Sequence, residues 1–122
     1  MNDQRQAAVS CPMDFILRIL MGPWTTYILY TLGEHGPQRF GELKRRVTGV
    51  SAKMLTERLR SLEQVDLISR HYEPTIPPKV TYALTARGRE LGSVLDQLST
   101  LGLKWMTEGT AATVNRVPEA AE

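Results

Sequence analysis

Along the chain the apolar residues fall into groups with helical spacing, interrupted once by a pair of alternating runs. Phe15, Ile16, Ile19 and Leu20 line one face of a first helix. Its start reads Cys11-Pro12-Met13-Asp14, because proline suits the first helical position and a carboxylate in the first turn suits the positive end of the dipole. Cys11 takes the N-cap place and Gly22-Pro23 ends the element. Trp24, Ile28, Leu29 and Leu32 mark the inner face of a second helix, with Gly33 near its C-terminus and Gly36-Pro37 in the loop beyond.

A short third helix is predicted from about Gly41 to Val47, with Leu43 and Val47 inward and Lys44, Arg45 and Arg46 outside. Thr48-Gly49 stops it. Ser51 is a preferred N-cap for a fourth helix, and Val50 before it can pack on Leu55 as a hydrophobic staple. Two helices therefore meet across a very short turn, the pattern of a helix-turn-helix. On a wheel of about 100° per residue with Leu55 at zero, Leu59 and Leu62 fall within about 40° of it. Lys53, Glu57, Arg60 and Gln64 gather at the opposite pole, with Thr56 at its flank.

The runs Leu67 to Tyr72 and Val80 to Leu84 are separated by Glu73-Pro74-Thr75-Ile76-Pro77-Pro78-Lys79, whose prolines forbid a helix. Val80, Tyr82 and Leu84 alternate with Thr81 and Ala83, as in a half-buried strand, so the two runs predict a hairpin with a stiff tip, a wing. A long final helix follows the N-cap candidate Thr85 and runs to about Met106, with Leu91, Val94, Leu95, Leu98, Leu101 and Trp105 on one side. That stripe is wider than a core of this size requires. The expected fold is mainly α with a small β-hairpin, a winged helix-turn-helix with a long C-terminal helix. Residues 1–10 read as a flexible arm, 11–106 as one domain, and 107–122, which show no period, as a disordered tail.

Composition narrows the picture. With 122 residues, 42% apolar and 23% charged, one core is expected. No segment offers the roughly 20 apolar residues of a membrane span, and Met1 to Ser10 lack an apolar signal core, so a cytoplasmic location without membrane contact is expected. One cysteine and two distant histidines, His35 and His71, supply no metal-ligand spacing. Nor is there a catalytic triad pattern or a phosphate-cradling glycine loop. We therefore expect no metal, no cofactor and no enzyme. The net charge of +2 hides one concentrated stretch. Within residues 39–60, Arg39, Lys44, Arg45, Arg46, Lys53, Arg58 and Arg60 face only Glu42 and Glu57. Such a field is the footprint of a phosphate-binding surface, although a solvated helix face would look the same by charge alone.

Cys11-Pro12, Gly22-Pro23-Trp24, Arg39-Phe40-Gly41-Glu42-Leu43, Gly49-Val50-Ser51-Ala52-Lys53-Met54-Leu55-Thr56, Leu59-Arg60-Ser61-Leu62-Glu63 and Pro77-Pro78-Lys79-Val80-Thr81-Tyr82-Ala83-Leu84-Thr85 occur in this order. In these blocks the chain resembles the HxlR family of bacterial transcription regulators from residue 11 to about 105. The resemblance implies a homodimer on a double-stranded DNA operator, in a family whose members often answer to a small molecule, an electrophile or an oxidant. Some members sense through a cysteine near the N-terminus, and Cys11 stands at the matching place. The pattern departs at Pro23, where a lysine is usual, and at Thr81, where an acidic residue is common.

A helix in the major groove brings its N-terminal residues closest to the base edges. Lys53 and Thr56 are thus the candidate base readers, and Ser51 with Ala52 can present backbone N–H groups to a phosphate. Arg60 is placed for phosphate. Glu57 could accept from cytosine N4 or simply pair with Lys53 four residues earlier. Arg39, Lys44 and Arg45 serve the nonspecific electrostatic attraction, and Lys79 on its proline-stiffened tip can reach a neighbouring phosphate. Arg70 and His71 on the far strand are expected only to cover the hairpin. Phe15, Leu91, Leu95, Leu98 and Trp105 are candidates for the dimer interface, in competition with the subunit's own core. Cys11 is either an oxidant sensor at the positive end of a helix or a small packed residue there. The rival function is a winged-helix module that binds protein, which would show apolar anchors on the outer side of the fourth helix.

Overall fold

The computed structural model describes residues 11–108. In chain order the elements are α1 (Pro12–Leu20), α2 (Thr25–His35), β1 (Gln38–Arg39), α3 (Phe40–Arg46), α4 (Ala52–Gln64), β2 (Ile68–Glu73), β3 (Lys79–Leu84) and α5 (Ala86–Thr107). The arm expected at 1–10 and the tail from residue 109 lie outside the described residues, and α5 carries through Thr107, one residue into the expected tail.

The helix boundaries follow their caps. Ser51 Oγ accepts from the Met54 N–H at 3.1 Å, and Thr85 Oγ1 accepts from the Gly88 N–H at 3.0 Å. Gly49, at φ +96°, allows the turn between α3 and α4. Leu55, Leu59 and Leu62 of α4, Leu43 of α3, Ile28, Leu29 and Leu32 of α2 and Leu67 and Ile68 at the start of the hairpin form the core. Val50 is buried beside Leu55, as a hydrophobic staple requires. The wing is the β2–β3 hairpin, in register from Ile68 opposite Leu84 to Glu73 opposite Lys79.

One expectation changes. The hairpin is part of a three-stranded antiparallel sheet in the order β1-β3-β2, because Gln38 and Arg39 pair with Tyr82 and Thr81. Two residues are too few to show alternation, and the strand is held by β3 while the buried Gln38 amide donates to the Pro37 carbonyl at 2.9 Å. Gly33 lies near the C-terminus of α2 as expected, and the helix continues to His35 and ends at Gly36, at φ +76°. At the other end of α2, Trp24 is a left-handed N-cap at φ 69°, and its ring tip lies against Gly49 in the α3–α4 turn.

α5 divides along its length. Gly88, Leu91, Gly92 and Leu95 are buried, and Tyr30 Oη lies 3.1 Å from Ser99 Oγ past the helix midpoint. The C-terminal part then presents Leu98, Leu101, Leu103, Trp105 and Met106 as exposed residues. α1 has no fully buried residue, and Met13, Phe15 and Leu17 are exposed.

Candidate nucleic-acid interface

α4 is fixed by its leucine stripe, so its opposite side is turned outward. Lys53, Glu57, Arg60 and Gln64 are all exposed there, as are Ser51 and Ala52 at its start. Ser51 caps Met54, and the first helical bond runs from the Leu55 N–H to the Ser51 carbonyl, so the N–H groups of Ala52 and Lys53 point out of the helix end. Lys53 and Glu57 make no ion pair with each other or with any other described residue. The i,i+4 explanation of Glu57 therefore does not describe this conformation. Thr56 is half-buried and its hydroxyl donates to the Ala52 carbonyl at 2.8 Å. What remains to it is a lone pair and a methyl group.

Around this face lies a set of cations. Arg39 sits at the N-cap of α3, where its backbone N–H donates to Glu42 Oε1 at 2.9 Å, and its side chain is exposed. Lys44 and Arg45 are exposed on α3. Arg46 is bound elsewhere: its Nε donates to Gln38 Oε1 at 3.0 Å, and a guanidinium nitrogen lies 3.3 Å from His35 Nε2. Lys79 is exposed at the base of the wing loop.

The sequence profile described as HxlR-like helix-turn-helix matches residues 19–110. The chain belongs to this family. An HTH-type transcriptional regulator of Synechocystis, sll1512, is 41% identical over 98 residues, 80% of this chain and 72% of that one. Among solved structures, the redox regulator HypR in its reduced form superposes with a TM-score of 0.73 at 30% identity, covering 88% of this chain and 100% of HypR. The reduced form of YodB from Bacillus subtilis gives a TM-score of 0.66 at 34% identity, covering 81% of this chain and 93% of YodB. This HxlR-type chain is thus a transcriptional regulator of the helix-turn-helix class.

Within this HxlR-type domain, two arginines differ from the sequence reading. Arg58 counts toward the positive stretch, yet on the wheel it lies about 60° from Leu55 and on the side away from Thr56. Its guanidinium packs over the α1–α2 turn, so close that a Cβ at Gly22 would lie 2.6 Å from it, and its buried Nε finds no hydrogen-bond partner among the described residues. Arg70 moves the other way. β2 directs it to the same side as the recognition helix, and it lines a cleft of about 340 Å³ with Thr56, Leu59, Arg60, Glu63 and Tyr82. The period of two in β2, counted from buried Ile68, is the signal that would have placed Arg70 on this side.

The dimer candidates separate as well. Leu91 and Leu95 keep only 9% and 7% of their surface and belong to the subunit's own core, so neither can serve a partner. Leu98 and Trp105 keep 57% and 49%, and Phe15 is exposed on α1. Met13, Leu17, Val94, Leu101, Leu103 and Met106 are exposed as well. Cys11 is exposed at the N-cap of α1, with no side-chain capping bond and outside the stretch matched by the family profile.

Proposed function

We propose that this protein is a sequence-specific DNA-binding regulator that acts as a homodimer, with α4 lying in the major groove. One observation carries the reading. The outward side of α4 holds Lys53, Glu57 and Arg60, exposed and free of ion pairs among the described residues, behind a capped helix end whose N–H groups of Ala52 and Lys53 are open. Lys53 reads guanine O6 and N7, Thr56 meets a thymine methyl and Glu57 accepts from cytosine N4. Ser51 and Ala52 hold the helix end to a phosphate, with Arg60, Arg39, Lys44 and Arg45 on flanking phosphates. Lys79 reaches the backbone from the wing. Arg70, facing Arg60 across their cleft, joins this set. A protein-binding module would need apolar anchors on the same side of α4, and the residues there are polar or charged.

Affinity from so few contacts is low in one subunit, and a twofold dimer places two recognition helices about 34 Å apart in successive grooves. Phe15 on α1 and Leu98 and Trp105 on α5 are the interface residues, and their exposure in the subunit supports this assignment. Cys11 is the site at which an oxidant or electrophile acts, a reading supported by its exposure and by the likeness to the redox regulator HypR. The test is selection of bound duplexes from a random pool, with diamide and with reductant. The expected result is one enriched operator whose retention diamide changes in the wild type and not in Cys11→Ser. Failure to enrich any sequence refutes specific binding. An equal response of both proteins to diamide removes Cys11 from the switch.

A further inference from the structure

A cleft of about 570 Å³ lies between the C-terminal end of α2, the end of β3 and the middle of α5, away from the recognition helix. Leu32, Gly33, Pro37, Leu84 and Gly92 form its apolar walls, with Arg89 and Asp96 beside them. On the α5 wheel these two polar residues lie on the far side of the core line from Leu98 and Trp105, so a partner seated on the apolar stripe leaves the cleft open.

Of the three helical glycines here, packing explains one. At Gly88, four residues before Gly92, a Cβ would lie 2.1 Å from the Leu67 carbonyl oxygen, so α5 can start against the hairpin only with glycine. At Gly92 the nearest atom to an added Cβ is Leu84 Cδ1 at 3.6 Å, and at Gly33 it is the same atom at 3.8 Å. Both are ordinary contacts, and neither residue has a positive φ. Two different helices therefore carry glycine, a poor helix former, where alanine would fit, and the consequence is the open space between them. The poles of that space are chemically distinct. One guanidinium nitrogen of Arg89 donates to the Leu84 carbonyl at 3.2 Å, which orients the group and leaves its other N–H donors unengaged by the described residues. Asp96, two turns along the same side of α5, takes no hydrogen bond or ion pair from them either. Two turns separate a positive from a negative pole by about 10 Å.

We propose that this cleft binds a flat, mostly apolar organic acid, its carboxylate on Arg89 and a hydroxyl or amino group at the far end donating to Asp96. The proposal deepens the regulator reading by giving an effector a site, and only its effect on DNA rests on that reading. The route to DNA is short: Pro37 lines the cleft, its carbonyl accepts from the Gln38 amide at 2.9 Å, and Gln38 Oε1 accepts from Arg46 at the end of α3 at 3.0 Å.

The test uses the full chain and 4-hydroxycinnamate as probe, with its methyl ester and with unsubstituted cinnamate. Isothermal titration is expected to give saturable one-to-one binding per subunit, weakened at least about tenfold by the ester or by Arg89→Gln and less by loss of the hydroxyl. Gly92→Leu and Gly33→Leu, which fill the cleft from opposite walls, abolish it. Gly92→Ala and Gly33→Ala separate a kept space from a packing need, since their Tm is expected to stay level or rise. Absence of binding at millimolar probe, undiminished binding in both leucine variants, or a fall in Tm in both alanine variants overturns the site. Operator affinity is then measured with and without probe, and binding that leaves it unchanged overturns the effector role. A chain that binds the probe but selects no operator refutes the regulator reading and leaves the cleft intact.

Discussion

The leucines of α4 and those at the end of α5 meet opposite fates. Leu55, Leu59 and Leu62 keep 0%, 2% and 3% of their surface, whereas Leu98 and Leu103 keep 57% and 62%. Both groups have helical spacing, so periodicity alone does not tell a core from a surface awaiting a partner. What separates them is the rest of the chain: α2, α3 and the hairpin close over α4, while the described residues leave Val94, Leu98, Leu101 and Leu103 of α5 exposed. One region is finished within the subunit. The other, with α1, is left exposed by the described residues, as the proposed dimer requires.

Truncation is the strongest way to break this comparison. Leu59→Ala should cost about 2–5 kcal/mol of subunit stability in chemical denaturation, and Leu98→Ala far less when extrapolated to low protein concentration. Equal losses would mean that both regions belong to one core. The complementary change, Leu98→Glu, should weaken self-association by about 2 kcal/mol or more in sedimentation equilibrium, with the fold unaltered by circular dichroism. A smaller effect sharpens the account of the reading helix. Ser51→Ala removes the cap on Met54 and should lower stability by about 1 kcal/mol.

The sequence showed α4 fully because its one stripe is narrow and its cap, staple and preceding glycine all agree, as Ser51, Val50 and Gly49 do in the structure. It concealed β1, since a two-residue strand has no period and is paired by a partner more than forty positions away. The stripe of α5 was legible as a stripe but not as two halves: Leu91 and Leu95 belong to the core because α2 and β3 happen to end beside them. The charged face was legible as a cluster and not as individuals. Arg46 and Arg58 are taken up by Gln38, His35 and the α1–α2 turn, and Arg70 joins from a strand whose sidedness becomes certain only once Ile68 is known to be buried.

The central claim, that the outer side of α4 reads base edges, is tested most directly by comparing affinities for the selected operator and for a scrambled duplex at one salt concentration. For Lys53→Ala the account predicts a fall of about 1–3 kcal/mol in the preference for the operator. Arg45→Ala should weaken both duplexes alike and leave that preference unchanged. An equal loss on both duplexes for Lys53→Ala would contradict the claim.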